Sequence, residues 1–105
     1  VIGCEFASIF NELGSKVLLV DTQARILSSE DEDLSRFLTR EFSQRGVEVI
    51  PSCRFEKLEV GKKGVSTILS DGQRVQSESV LLAVGRNPTT SGLNLDMMIA
   101  TTILW

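Results

Sequence analysis

Gly3 and Asp21 have the residue types and the spacing that are typical of a phosphate-binding and a ribose-binding residue. Gly3 begins a predicted helix, where a missing Cβ permits close packing and where free N–H groups and the positive helix end attract a pyrophosphate. Asp21 follows 18 residues later, at the end of a predicted strand. A carboxylate there accepts hydrogen bonds from both ribose hydroxyls of an adenosine and repels a 2′-phosphate. From this pair alone, it is an equally good interpretation that Gly3 only permits close packing and that Asp21 is a solvated acid at a strand end.

The composition excludes several other kinds of chemistry. The 105 residues suffice for one domain, and the chain has no His, which excludes His acid–base catalysis, a Ser-His-Asp triad and His-containing metal sites. A net charge of -3 with scattered basic residues disfavours a nucleic-acid partner. The acidic run at residues 30–33 is interpreted as a helix start, because a metal ion needs ligands that converge from several directions.

The two cysteines and the apolar runs indicate the compartment. Cys4 and Cys53 fit no C-x-x-C motif or disulfide framework, and no secretory signal is evident, so we expect a reducing, cytoplasmic setting and small buried thiols. No apolar run approaches the roughly 20 residues of a membrane span, so no membrane association is expected.

The chain must position these residues on alternating helices and strands. Apolar residues at Phe6, Ile9, Phe10 and Leu13 predict a helix over residues 1–13 that ends at Gly14. A buried strand follows at 17–20. The run 29–32 has the spacing of a capping box, which predicts the start of a second helix. This helix has an apolar face at Leu34, Phe37, Leu38 and Phe42 and stops at Gly46. A strand follows at 47–50.

The second half of the chain predicts short antiparallel strands. A meander is expected at about 55–60, 65–69 and 73–77, with Asp71-Gly72 as a hairpin turn, and then a fully buried strand at 79–84. The whole pattern predicts an α/β fold, with a Rossmann-like parallel sheet, helices and an antiparallel meander. The first strand and the start of the glycine-rich turn of such a unit are expected to be missing.

Four segments together resemble one family: 1–7, 16–21, 45–47 and 83–88. They resemble the flavin-dependent pyridine nucleotide-disulfide oxidoreductases, a group that includes dihydrolipoamide dehydrogenase and soluble pyridine nucleotide transhydrogenase. The resemblance covers residues 1–96 and implies a partial NAD(P)-binding domain. The tail 97–105 does not continue the family pattern.

The resemblance implies a role for each matching residue. Val1, Ile2 and Gly3 would lie at the pyrophosphate turn, and Glu5 would engage the nicotinamide carboxamide. Asp21 occupies the place of the acid in NAD-using members, so NAD is expected over NADP. Arg25, the one cation of the loop that follows, could reach a phosphate, although a solvated role is favoured. The backbone of Phe55 would contact adenine while its ring packs in the core, and Gly85 would allow close approach of the cofactor.

The implied function is NAD(H) binding that positions the nicotinamide for hydride transfer to or from FAD in the intact enzyme. No catalytic residue and no activity of the chain alone are expected, and FAD would be bound only by the parent enzyme. The implied partners are a nicotinamide dinucleotide and the parent's flavin and dimerisation domains. Two alternatives stay open: an NADPH-binding version of the same domain, and a remnant or interaction module that binds no nucleotide.

Overall fold

The computed structural model describes residues 1–89 and 91–92, which contain two helices and five strands. The elements are α1 Ile2–Glu12, β1 Leu18–Val20, α2 Glu32–Gln44, β2 Glu48–Ile50, β3 Phe55–Gly61, β4 Gly64–Leu69 and β5 Arg74–Ser77. The predicted domain end at residue 96 and the predicted tail 97–105 lie outside the described residues.

Strands β1 and β2 form a parallel pair, with Leu18 opposite Glu48 and Val20 opposite Ile50. Helix α2 makes the crossover between them, as a parallel connection requires. The predicted α/β fold is therefore confirmed. Full burial of β1 is not observed, because its residues are only half-buried in a sheet that has two strands among the described residues.

Gly14 and Gly46 end the two helices, as the sequence predicts. Their φ angles are 91° and 81°, a region that penalises any residue with a Cβ. In both cases the glycine amide bonds to the carbonyl three residues earlier, and the next amide bonds to the carbonyl five residues earlier. This double bond pattern is the Schellman motif, which satisfies carbonyls that a helix end otherwise leaves without donors.

The start of α2 differs from the predicted capping box. Asp31 is the N-cap residue, and its Oδ1 accepts a hydrogen bond of 2.9 Å from the amide of Asp33. Ser29 Oγ instead bonds to Glu30 Oε1. The prediction of a cap at Ser29 is wrong because aspartate and serine are comparable cap residues, so the polar run offers more than one start.

The core around the parallel pair is a small cluster. Its buried members are Cys4, Ala7, Ile26, Phe42 and Val47. The large apolar side chains that the periodicity predicts as the buried face of α1 are instead all exposed: Phe6, Ile9, Phe10 and Leu13. That prediction is wrong, because the small side chains of α1 face the core and the large ones lie outside it.

The apolar face predicted for α2 is only partly buried. Phe42 is 2% exposed and Leu38 packs against the core cluster, whereas Leu34 and Phe37 are exposed. The end of this helix therefore does more to form the core than its beginning.

Strands β3, β4 and β5 form the predicted antiparallel meander. Strand β4 alternates between half-buried and buried residues, and Val65, Thr67 and Leu69 are the buried ones. The turn to β5 lies at Asp71-Gly72, where Asp71 Oδ1 accepts a 3.0 Å hydrogen bond from the amide of Gln73. The predicted hairpin turn is confirmed.

The predicted buried strand at 79–84 is not observed. This segment forms no strand, and Val80, Leu81, Leu82 and Val84 are exposed. An extended segment becomes a strand only when it hydrogen-bonds to a neighbour, and no described strand pairs with it.

Candidate functional site

The first turn of α1 has backbone amides without acceptors inside the helix. The amides of Cys4 and Glu5 both bond to the carbonyl of Val1, at 2.9 and 3.2 Å. The N-cap residue Val1 provides no side-chain cap. The amides of Ile2 and Gly3 are therefore free to donate to a ligand, since helix geometry gives them no partner. Glu5 is exposed on the same turn.

Gly3 lies between β1 and the extended segment at 79–84. A Cβ built on Gly3 would be 3.7 Å from Leu19 Cδ1 and 3.7 Å from Ala83 Cβ. Both are ordinary van der Waals distances, so the predicted contact of Gly3 with the strand is present but leaves room for a methyl group.

Asp21 directly follows β1, and its backbone is held from two sides. Its amide donates to the carbonyl of Ile50 at 3.0 Å, and its carbonyl accepts from the amide of Cys53 at 2.9 Å. The side-chain Oδ1 accepts a 2.9 Å hydrogen bond from the amide of Gln23. The backbone is thus fixed, and the carboxylate keeps further lone pairs for a ligand.

The amino end of α1 and the carboxylate of Asp21 lie at the same edge of the sheet. The connection from α1 to β1 is short, at residues 13–17, so the helix runs antiparallel to the strand. The first turn of α1 therefore lies beside the carboxyl end of β1. In open α/β sheets, ligands bind at this edge.

Gly85 and Ile2 line one open groove, together with Phe6, Leu81, Leu82, Ala83 and Arg86. Gly85 has a φ of 129°, which a residue with a Cβ rarely adopts, and nothing lies within 4 Å of where its Cβ would be. The structure thus brings Gly85 to the start of α1 and leaves its backbone accessible.

Phe55 is the first residue of β3, and its side chain is 42% exposed. The prediction that the ring packs in the core is wrong. Phe55 pairs with Leu69, and the register shifts directly after Phe55. Leu69 is buried and Phe55 is not, because β3 is an edge strand whose residues are mostly exposed.

Arg25 has a structural role that sequence reasoning missed. Arg25 is partly buried, and its guanidinium donates hydrogen bonds to the carbonyls of Leu27, Ser28 and Glu30. The interpretation of Arg25 as a solvated side chain is therefore wrong. Only the isolation of this cation in its loop could have suggested the role, because backbone carbonyls leave no pattern in a sequence.

Cys4 and Cys53 are free and buried, as predicted for small apolar thiols. Burial raises the pKa of the Cys4 thiol, and the charge of Asp21 raises that pKa further. The Sγ of Cys53 lies 3.5 Å from Ser70 Oγ. Cys4 is therefore held as the neutral thiol, which is a poor nucleophile.

Residues 1–89 and 91–92 contain neither a cluster of metal-binding side chains nor a helix suited to a membrane. This part of the chain contains no group of three or more His, Cys, Asp or Glu residues placed to hold a metal ion. Neither of its helices has the length and hydropathy needed to cross a membrane.

Comparison with known proteins identifies the family. The sequence model of one protein family, the pyridine nucleotide-disulphide oxidoreductases, matches residues 1–102. A dihydrolipoyl dehydrogenase of Bacillus subtilis is 38% identical in an alignment 99 residues long, which covers 91% of this chain and 21% of that protein. A soluble pyridine nucleotide transhydrogenase of Yersinia pestis is 41% identical over 96 residues, again 91% of this chain and 21% of that protein.

The solved structures agree with this result. The crystal structure of LpdA from Mycobacterium tuberculosis has a TM-score of 0.76 and 33% identity, and the match covers 89% of this chain and 20% of that one. The chain thus spans about a fifth of the length of its relatives. On the family match over residues 1–102, the chain belongs to the pyridine nucleotide-disulphide oxidoreductase family.

Proposed function

We propose that the chain is the NAD(H)-binding portion of an FAD-dependent pyridine nucleotide-disulfide oxidoreductase, and that it positions the nicotinamide for hydride transfer to or from flavin in the intact enzyme. The observation that carries the proposal is the shared sheet edge of the uncapped α1 amides and the Asp21 carboxylate. A dinucleotide uses both, because its pyrophosphate is anionic and its ribose carries hydroxyl donors.

Each site residue then has one task. The amides of Ile2 and Gly3, just after Val1, donate to the pyrophosphate, and Glu5 accepts from the nicotinamide carboxamide. Gly85 offers side-chain-free backbone beside Ile2. The backbone at Phe55 is proposed to contact adenine. A bound nicotinamide supplies the hydride donor or acceptor, and the chain contributes binding and orientation without a catalytic residue of its own.

The charges around Asp21 support NAD over NADP. A 2′-phosphate there would meet the Asp21 carboxylate, which repels it. Arg25, the one cation between Asp21 and Asp31, donates its hydrogen bonds to carbonyls of its own loop. An NADP site needs a cation directed towards the phosphate.

The short coverage of the relatives supports a role within a larger enzyme. We infer that the partners are the flavin and dimerisation domains of the parent enzyme, because the chain spans about a fifth of its relatives. The nucleotide-binding unit is proposed to end at residue 96, before the tail 97–105. The free thiols of Cys4 and Cys53 support a reducing, cytoplasmic setting.

A second candidate is an interaction module that binds no nucleotide. The exposed apolar side chains of α1 and of residues 80–84 favour it, because large exposed apolar patches mark association surfaces. This candidate predicts association of the chain and no response to either nucleotide.

The test is a two-dimensional amide NMR titration of the chain with NADH and then with NADPH. We expect shifts at Gly3, Glu5, Asp21 and Gly85 with NADH and weaker binding of NADPH. Asp21→Ala should weaken NADH binding by about tenfold, since it removes the ribose acceptor, and should relax the preference.

A matched control is Glu56→Ala, which removes the same charge from an exposed position of β3. This variant should bind NADH like the unmodified chain. Equal affinities of the unmodified chain for the two nucleotides would contradict the NAD assignment. A well-dispersed spectrum that responds to neither nucleotide would contradict the proposed function and favour the interaction module.

A further inference from the structure

Arg25 lies in the loop between Asp21 and α2, and its guanidinium binds the loop itself. Nη1 donates to the carbonyls of Leu27 at 3.3 Å and Glu30 at 3.0 Å, and Nη2 donates to the carbonyl of Ser28 at 3.2 Å. Three carbonyl oxygens thus converge on one cation. The planar guanidinium suits this task because it holds several donors in a fixed geometry.

The conformation of this loop requires an anchor. Leu27 has a φ of 50°, a left-handed conformation that costs free energy in a residue with a Cβ and persists only when the surroundings fix it. The Leu27 carbonyl accepts from Arg25 and also from the amide of Glu30, at 2.9 Å. The Arg25 bonds therefore stabilise the very turn that is strained.

Two other points of the loop are fixed by contacts of their own. At one end, Asp21 Oδ1 accepts from the amide of Gln23. In the middle, Ile26 is buried in the core and its carbonyl accepts a 2.6 Å hydrogen bond from Ser35 Oγ. The Arg25 side chain ties residues 27–30 back to this anchored portion. The loop that follows Asp21 is thus held by hydrogen bonds at Asp21, at Ile26 and across residues 25–30.

The direction in which the Arg25 guanidinium donates its hydrogen bonds also bears on the choice of nucleotide. Arg25 is the one cation in residues 21–31, which include the acids Asp21, Glu30 and Asp31. Its donors point to loop carbonyls, so its hydrogen bonds are already used inside the protein. A phosphate beside Asp21 could recruit this cation only by breaking those bonds.

We propose that Arg25 is a positioning residue that fixes the loop behind the Asp21 carboxylate. Because its guanidinium donates to carbonyls of that loop, it does not serve as the cation that binds a 2′-phosphate. The second part of the inference, which concerns the 2′-phosphate, rests on the proposed nucleotide function. The first part, the fixing of the loop, is a property of the chain without any ligand.

Hydrogen exchange of the ligand-free chain tests the first part. In Arg25→Ala the amide of Glu30 should exchange about tenfold faster, because the turn that it closes loses its hydrogen bonds from the charged guanidinium. Arg25→Lys should not restore protection, since one ammonium cannot span the three carbonyls. Arg74→Ala, which removes an exposed arginine from β5, should leave the exchange of the Glu30 amide unchanged. Unchanged exchange in Arg25→Ala overturns the inference.

Nucleotide titration tests the second part. Arg25→Ala should weaken NADH binding by about tenfold, because the Asp21 loop is loosened, and should lower NADPH affinity by no larger factor. A selective loss of NADPH affinity with NADH binding unchanged means that Arg25 contacts the phosphate, which overturns the inference. If the unmodified chain responds to neither nucleotide, the proposed function fails, whereas the exchange measurement still decides the role of Arg25 in the loop.

Discussion

Gly64, at the start of β4, has a backbone conformation and surroundings that exclude a side chain. Its φ is 122°, and an added Cβ would overlap the carbonyl oxygen of Ser77 across the β4–β5 pair. A clash with backbone cannot be relieved by a rotamer change. We therefore expect Gly64→Ala to lower the free energy of unfolding by about 2 kcal/mol, measured by urea denaturation.

Gly61 provides the control for this substitution, because it lies at the other side of the same hairpin. A Cβ on Gly61 would be 3.7 Å from the carbonyl oxygen of Gly64, an ordinary contact. Gly61→Ala should therefore cost much less stability than Gly64→Ala. Equal losses in the two variants would contradict the steric argument.

At the scale of elements, Ser35 joins α2 to the loop behind Asp21. Its side chain is 1% exposed, and Oγ donates to the carbonyl of Ile26 at 2.6 Å. Ser35→Ala leaves that buried carbonyl without this donor. We expect the free energy of unfolding to fall by about 1–3 kcal/mol, the cost of an unsatisfied buried group, in urea denaturation followed by circular dichroism.

The matched control is Ser43→Ala, at an exposed position of the same helix. Alanine has the higher helix propensity, so this variant should be neutral or slightly more stable. A neutral Ser35→Ala would mean that the Ile26 carbonyl finds another partner, which contradicts the proposed link between helix and loop.

Local signals in the sequence were sufficient to predict where most elements begin and end. Gly14 and Gly46 end the helices because their conformation favours glycine, and Asp71-Gly72 forms a turn by its own side-chain hydrogen bond. These features depend on residues close in sequence. The segment 79–84 shows the limit, since its apolar composition predicts a strand but pairing depends on a neighbour that composition cannot specify.

The placement of two candidate site residues was predictable to the same degree. The positions of Gly3 and Asp21 follow from the helix and strand boundaries, and the structure places both at one sheet edge. The hydrogen bonds of Arg25 could not be predicted, because its acceptors are backbone carbonyls whose directions depend on the folded loop. Periodicity likewise groups Phe6 with Phe10 but does not say which face of α1 is covered.

At the scale of the whole molecule, the described chain exposes a contiguous apolar surface. Ile2 and Phe6 of α1 line one groove with Leu81 and Leu82, and all four are exposed. Leu82 is 57% exposed, although it lies beside other apolar side chains of the groove. Burying such a surface against another molecule is favourable by about 25 cal/mol for each Å² removed from water.

We therefore expect the isolated chain to associate with rising concentration in sedimentation velocity, and Leu82→Lys to weaken that association. The lysine places a charge on the apolar surface, and burying an unpaired charge is costly. Val60→Lys is the control, because Val60 is 83% exposed at the end of β3 and is not among the groove residues. A chain that stays monomeric at all concentrations, or equal effects of the two lysines, would contradict the argument.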